Sequence, residues 1–407
     1  MQRRRRRPNY FLIVVLLILI AAMLYVNQVV LPEMPSPFVP TPTATRDPES
    51  FIAEAEALFN EGKLFQSIEK YQEAVRVRTD DASTYIAMAR VQVFAGQYED
   101  ALVSTENALL LNPNNSMVYA VHGWALTFLG DYIKAETALK RALELDPNNA
   151  LAHAYYAELL INLGTFDDLL LAKDESNVAL SLAPNTLETH RIRGLVLEVT
   201  DNREEAIREY EAAIAINANI PDLHLWLGRT YKVLGVLDKA TDEYSLANSL
   251  NPSDPTPDLY TSRAYAGVGE FAKAVQFAES AVRDDPTDPY LRGNLGVMLY
   301  RNFEWSDAID QLTFVANGGI TDDGLVIEPL PLTNDAYVIE YYFTYALVLA
   351  RSFRCPDVLP IAQRILTTVP NDETAVYNAQ ESLRICEQSL LTPSPTPTIT
   401  PQATATP

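Results

Sequence analysis

ALVSTENALLLNPNN at residues 101–115, AETALKRALELDPNN at 135–149 and ATDEYSLANSLNPSD at 240–254 follow one pattern three times. Each carries alanines seven residues apart (Ala101 and Ala108, Ala135 and Ala142, Ala240 and Ala247), and seven residues are close to two helical turns, so each pair lies on one face. A proline follows five residues after the second alanine and ends the helix. The stripe of small residues predicts a helix that packs unusually close to its neighbours, and the proline predicts a unit boundary.

The boundary recurs on both sides. Pro113, Pro147, Pro184, Pro252 and Pro286, with Ala218 where another proline would fall, stand at spacings of 34, 37, 34, 34 and 34. Aligned on this ladder, Ala89, Gly123, Ala157, Gly194, Gly228 and Gly296 share the eighth position of the unit, where a first helix must approach its neighbour. Ala101, Ala135, Ala172, Ala206, Ala240, Ala274 and Ala308 share the twentieth. Gly62, Gly96, Gly130, Gly164, Gly235 and Gly269 fall between two helical stretches, where a left-handed residue ends a helix without steric cost.

In type and spacing these units resemble the tetratricopeptide repeat. Full repeats begin near residues 48, 82, 116, 150, 187, 221 and 255, a degenerate one begins at 289 and a ninth at 339, together spanning 48–372. The resemblance implies an all-α, right-handed α-solenoid of about nine helical hairpins, whose first helices line a concave groove. Residues 373–391, with Val376, Ala379, Leu383, Cys386 and Leu390 at helical spacing, read as a capping helix. The fourth repeat has three extra residues around Phe166 to Leu171, read as a lengthened turn. A non-repeat insertion spans about 316–338, where Gly318, Gly319, Pro329 and Pro331 exclude a continuous helix. It reads as a binding loop or as a tolerated insertion.

The first residues carry a different signal. Residues 1–9 form a basic stub with arginine at every position from Arg3 to Arg7, followed by an uncharged apolar segment at 10–31 that is long enough to cross about 30 Å of hydrocarbon. Arginines before a first apolar segment hold that end in the cytoplasm. The expectation is a single-pass signal anchor in the cytoplasmic membrane, with the repeat domain outside, in the periplasm or at the cell surface. A cleaved signal peptide is the other reading. The Pro/Thr-rich stretches at 32–47 and 392–407 read as an extended linker and a disordered tail.

With 53 acidic and 31 basic side chains the net charge is −22, and setting aside the five arginines of the stub leaves −27 beyond the membrane. A field of that sign repels phosphate backbones, so no nucleic-acid partner is expected. Nor are a cofactor, a metal or an enzymatic site expected, because no catalytic constellation is recognisable. His153, His190 and His224 share the fourth position of three consecutive repeats, too far apart to ligate one ion if helices pack at about 8–10 Å. They read as packing residues. Asp322, Asp323 and Gly324 lack the alternating ligands of a calcium loop. Placed on the resembled fold, Cys355 lies in the turn of the ninth repeat and Cys386 near the end of the capping helix, on the same rim. A disulfide is expected there, with two buried thiols as the other reading.

The resemblance also assigns positions two, five, nine, twelve and thirteen of each first helix to the groove. Over nine repeats these hold seven basic and seven acidic side chains, so the groove is near neutral in an acidic chain. The expected partner-binding residues are Phe94, Trp124 and Phe128 in an apolar half, and Arg191, Arg229, Lys232, Arg263 and Arg301 in a charged half. Either they hold a protein or peptide segment with apolar anchors and carboxylates, or the aromatics pack inward and the arginines pair with neighbouring glutamates. The set that clamps a C-terminal carboxylate in chaperone-binding members is not reproduced. The expected function is a non-enzymatic, membrane-anchored interaction scaffold. Recognition of an envelope or surface glycan, with Trp124 stacking on sugar, is the alternative.

Overall fold

The structure, a computed structural model, describes residues 10–30 and 46–391. The basic stub, nearly all of the linker and the tail at 392–407 lie outside the described residues. Helix α1 (Tyr10–Tyr25) continues as a wider helical turn over Val26–Val30. Phe11–Gln28 is the one stretch among the described residues long and apolar enough to cross a membrane, and its side chains are exposed.

The rest is a stack of antiparallel helix pairs. The first helices of the pairs are α2 (Pro48–Asn60), α4 (Ala82–Phe94), α6 (Ser116–Phe128), α8 (Ala150–Leu163), α10 (Leu187–Val199), α12 (Pro221–Val233), α14 (Thr256–Gly267), α16 (Pro289–Arg301) and α18 (Ala336–Arg351). Their partners are α3 (Leu64–Val77), α5 (Tyr98–Leu111), α7 (Tyr132–Leu145), α9 (Phe166–Leu182), α11 (Arg203–Ile216), α13 (Leu237–Leu250), α15 (Phe271–Asp284), α17 (Trp305–Asn317) and α19 (Cys355–Thr368). Helix α20 (Glu373–Leu391) covers the last pair.

The small residues do what their spacing predicts. A Cβ on Gly123, Gly194, Gly228 or Gly296 would lie 2.5–2.7 Å from the side chain of Leu139, Tyr210, Tyr244 or Leu312 in the paired helix, so the eighth position is a socket for that side chain. Ala101, Ala135, Ala172, Ala206, Ala240, Ala274 and Ala308 are fully buried. The fifteenth position has positive φ in all nine pairs: six times it is glycine, and three times it is Asp201, Phe303 or Phe353 at φ 66°, 67° and 60°. Closing the turn fixes the backbone there whatever the residue.

The expectations for the turn of the fourth repeat and for the buried face of the capping helix are corrected. The three extra residues of the fourth repeat do not lengthen its turn, because α9 begins at Phe166, two residues after Gly164, and runs for 17 residues. They extend the second helix, which a Thr165–Asp168 capping box starts cleanly. The insertion at 316–338 is partly ordered as a small antiparallel hairpin, β1 (Gly319–Ile320) with β2 (Val326–Ile327). It is tied down by the amide of Leu330 donating to the Val315 carbonyl and by Tyr342 Oη donating to the Leu330 carbonyl at 2.7 Å. The face that α20 buries is Ala375, Ala379, Ser382 and Cys386, offset from the expected Val376 and Leu383, which are half-buried.

The solenoid also closes on itself. Ala55, Leu64, Ile68 and Tyr71 of the first pair share one apolar cluster with Leu187, Ala213, Ile220 and Leu223 of the fifth and sixth. Asn219 donates to the Asn60 carbonyl at 2.8 Å and Asn217 to the Phe59 carbonyl at 3.3 Å. The turn of the first repeat thus seats on the loop between α11 and α12.

Candidate functional site

The inner faces of the first helices divide into two regions. In repeats two to five the wrapped spiral brings them against each other. Trp124 is 1% exposed, stacks on Tyr155 with ring centroids 4.3 Å apart, and donates from Nε1 to Glu158 at 2.8 Å. Glu158 also accepts two hydrogen bonds from Arg191, and both of these charged side chains are only 3% exposed. The Arg191 guanidinium lies 5.2 Å from the Trp124 ring and 5.1 Å from the Trp226 ring. Arg90 pairs with Glu188 across the spiral. Phe94 is half-buried between Phe59 and Trp124, and Phe128 stacks on Tyr98 at 4.8 Å.

The apolar stripe is therefore internal packing over most of its length. Trp124 and Arg191, expected on the groove surface, are interior side chains in this structure and offer a partner no face. The reason is the closure: once the first pair docks onto the sixth, the inner faces of repeats two to five are largely covered, and only clefts beside Arg90 and Phe94 remain. Phe128 keeps an exposed edge, and Phe94 lines an open cleft of about 450 Å³ beside Gly62, Tyr98 and Asp222. Burial pushes the Asp222 carboxyl up to about 6, although Arg191 pulls the other way.

In repeats six to nine the inner face stays open. Arg229 pairs with Glu198 at 2.7 Å, and Arg301 pairs with Glu340. Arg263, only 8% exposed, donates to Asn294 at 3.2 Å and to Tyr341 Oη at 3.0 Å, with the Tyr337 ring centroid 3.6 Å from its guanidinium carbon. Its open-surface placement is corrected by that burial, but its neighbour Lys232 is half-exposed. Lys232, Arg263 and Arg301 come together around one cleft. Arg229 is not among its lining residues. Tyr337 and Glu340 complete the lining. Tyr337 has no repeat position to mark it, because it enters ahead of the ninth repeat from the end of the insertion, whereas Glu340 stands at that repeat's second position and is one of the seven acidic side chains at groove positions.

The histidine row turns out to be a set of polar clamps rather than simple packing. His153, His190 and His224 each face a glutamate of the paired helix through Nδ1 (Glu175 at 2.5 Å, Glu209 and Glu243 at 2.6 Å). Each also faces the carbonyl of Pro147, Pro184 or Ala218 through Nε2 at 2.9 Å. Arg292, at the same position of the eighth repeat, makes the equivalent bonds to the Pro286 carbonyl at 3.0 and 2.7 Å and to Gln311 at 2.8 Å. A permanently charged donor does the same work there. The hydrogen bond that the His153 ring donates to the Glu175 carboxylate raises the pKa of His153. At His224 burial opposes the charge, but the bonds to Glu243 and the Ala218 carbonyl outweigh it, and the pKa is again raised.

Cys355 and Cys386 are joined by a disulfide, with Cα atoms 5.4 Å apart. Among the described residues no group of three histidine, cysteine or acidic side chains could hold a metal ion.

The family model described as "Tetratricopeptide repeat" matches residues 129–168. No curated protein matches this sequence. Among solved structures, the hetero-tetramer Cut9–Hcn1 of the APC/C aligns with a TM-score of 0.56 at 14% identity, covering 83% of this chain and 76% of that one. A tetratricopeptide repeat protein from Parabacteroides merdae aligns at 0.41 and 16% identity, covering 62% of this chain and 98% of that one. PilW, a type IV pilus biogenesis factor, aligns at 0.45 and 17%, covering 49% and 91%. At such identities the first likeness speaks for the fold alone. The repeat ladder, the stacked helix pairs and the family match together make this chain a tetratricopeptide-repeat protein with an apolar helix near its N-terminus.

Proposed function

We propose that this chain is a non-enzymatic scaffold, held to the cytoplasmic membrane by α1 with its repeats on the outer side, that binds a protein or peptide segment along the open inner face of repeats six to nine. The reading is carried by one observation: the spiral packs most of its own interior in repeats two to five, yet leaves a cleft edged by Lys232, Arg301 and Glu340 on the same face further along. Solenoids of this kind serve as extended binding surfaces, with the first helices facing the ligand. The outward orientation is supported by the arginine run before α1, and by the disulfide, which persists in oxidising compartments. The glycan alternative loses its main support, since Trp124 is too deeply buried to stack on a sugar.

The test is crosslinking of the full chain in its native membrane, capture through a tag after Leu391, and identification of what accompanies it. A recurrent protein partner that is lost on Lys232→Glu but retained on Lys140→Glu is the expected result. Capture unaffected by charge reversal on the inner face, or capture of polymer alone, would overturn the assignment. Protease protection of intact cells reports the orientation independently.

A further inference from the structure

Two turns of the solenoid carry strain that six others avoid. The fifteenth position has positive φ throughout, and glycine fills it six times, yet in repeats eight and nine it is Phe303 and Phe353, at φ 67° and 60°. A left-handed backbone is strained for a residue with a Cβ, and a bulky one there is an outlier. Packing does not offset that strain. The position points away from the fold, since a Cβ on Gly96, Gly130, Gly235 or Gly269 would meet nothing within 4 Å, and the two phenylalanines are 78% and 77% exposed. Helices α16 and α18 pack against each other, so the two turns are neighbours. They also share a sequence: RNF at 301–303 and RSF at 351–353 are the only turns with arginine at the thirteenth position and phenylalanine at the fifteenth. Arg301 pairs with Glu340, and the exposed Arg351 lies 5.4 Å from the Tyr300 ring centroid. Strain kept at an exposed, repeated site points to a function.

We infer that Phe303 and Phe353 seat this rim of the solenoid on the bilayer that α1 crosses, their rings entering the acyl region of the outer leaflet while Arg351 stays among the headgroup phosphates. The inference rests on the anchoring part of the proposed function. Lipid suits these rings better than a protein partner does. A stable protein interface needs a contiguous, complementary patch of about 800 Å² on each side, whereas each ring stands between polar neighbours, Asn302 and Glu304 or Ser352 and Arg354. A fluid acyl layer needs no complementary shape and takes up isolated apolar side chains one by one. The bilayer is also within reach. The segment at 31–45, between α1 and the N-cap Asp47, is long enough to span about 50 Å. That exceeds twice the radius of gyration of about 20 Å for a compact body the size of the repeat region.

The full chain carrying Phe303→Trp or Phe353→Trp, reconstituted into phosphatidylcholine vesicles with and without bromine on the acyl chains, tests this by fluorescence. The signal of the parent chain, with its three native tryptophans, is subtracted. Both positions lie outside the packed core, so the variants fold, and a circular dichroism melt checks this. The expected result is that bromine quenches the added emission about twofold at both positions. It leaves Leu110→Trp unquenched, at an 83% exposed site near the far end of α5. Absence of quenching at either phenylalanine position, in vesicles that still carry the chain on flotation, rejects the seating and leaves the anchor standing. A chain that does not float with the vesicles rejects both. Emission that shifts to the blue but resists bromine reassigns the rim to a contact with a second copy of the chain. Equal quenching at Leu110→Trp rejects this rim as the seat. The double variant Phe303→Gly, Phe353→Gly loses only strained, exposed rings, so it should melt at least as high as the parent chain. A lower melting temperature would show that the rings serve the fold and would overturn the inference.

Discussion

Glu158→Gln should be among the most damaging single changes in the solenoid. Glu158 and Arg191 are each about 3% exposed, and Glu158 accepts from both Arg191 and the Trp124 indole. Glutamine keeps an acceptor for the indole and nearly the same volume, so neither a cavity nor a lost tryptophan bond confounds the result. What remains is a guanidinium without its hydrogen-bonded carboxylate, among Trp124, Trp226 and Phe94 and with only the more distant pull of Asp222 in its place. Breaking a buried pair from one side costs about 3–5 kcal/mol, and the flanking rings recover part of this through cation–π attraction of about 1–2 kcal/mol. The net expectation is a loss of about 1–4 kcal/mol. Urea unfolding followed by tryptophan fluorescence and by far-ultraviolet dichroism measures it, the first probe reporting Trp124 and Trp226 around the pair together with Trp305 of the eighth repeat, and the second the whole stack. Replacing both partners, Glu158→Gln with Arg191→Met, should recover at least half of the loss, since an apolar side chain needs no counter-charge. A Glu158→Gln loss below about 1 kcal/mol, or a double variant weaker than the single, would refute the account of a sealed interior.

Three further outcomes follow from the geometry. The raised pKa values of His153 and His224 mean that the folded state holds protons more tightly than the unfolded chain. Their contribution is therefore complete below the unfolded value near 6.5 and lost as pH rises through the higher folded values; the melting temperature should fall across that window, and less so in His224→Gln. Asp222 acts with the same sign but lower, between 3.8 and about 6, so the two contributions separate on a pH scan. Gly62→Ala and Gly96→Ala impose the same left-handed strain, of about 1–2 kcal/mol, but only at Gly62 would the new Cβ meet Asn219, at 2.6 Å from its carbonyl oxygen; the excess destabilisation of Gly62→Ala over Gly96→Ala in matched denaturant titrations measures the closure, and equal losses would argue against it. Reducing the Cys355–Cys386 disulfide, which spans 31 residues, should cost about 3–4 kcal/mol on the chain-entropy account, read as increased hydrogen exchange confined to α18–α20.

The repeat architecture was legible because it is local. The alanine stripe, the eighth-position socket and the proline ladder each act within one hairpin or between neighbours, and a period of 34 displays them all. What failed to show was of two kinds. At Asp201, Phe303 and Phe353 the turn takes its left-handed residue without glycine, so the turns of repeats five, eight and nine carry no sequence mark. The interior of the spiral was hidden for a different reason. Arg90 meets Glu188 across 98 residues and Asn219 meets Asn60 across 159, and those meetings depend on the small rotation between successive hairpins, accumulated over five of them. No single repeat encodes that sum. Trp124 and Arg191 consequently read as groove residues when they line the closed half, whereas Glu158 one repeat after Trp124 was a signal that could have been used, being an acid at the same position beside an arginine one repeat further on.

The seat of the first repeat on the loop between α11 and α12 changes how the molecule carries load. An array in which each hairpin touches only its neighbours frays from either end, one unit at a time. Joining the first unit to the sixth turns the leading part of the array into a loop, so its opening unit cannot peel away without breaking the Asn60 and Phe59 contacts and exposing the cluster around Ile220. The polypeptide that runs back towards α1 enters at Asp47, immediately before α2. Tension along that tether therefore falls first on the joint, which would act as a mechanical fuse that yields before the helices behind it.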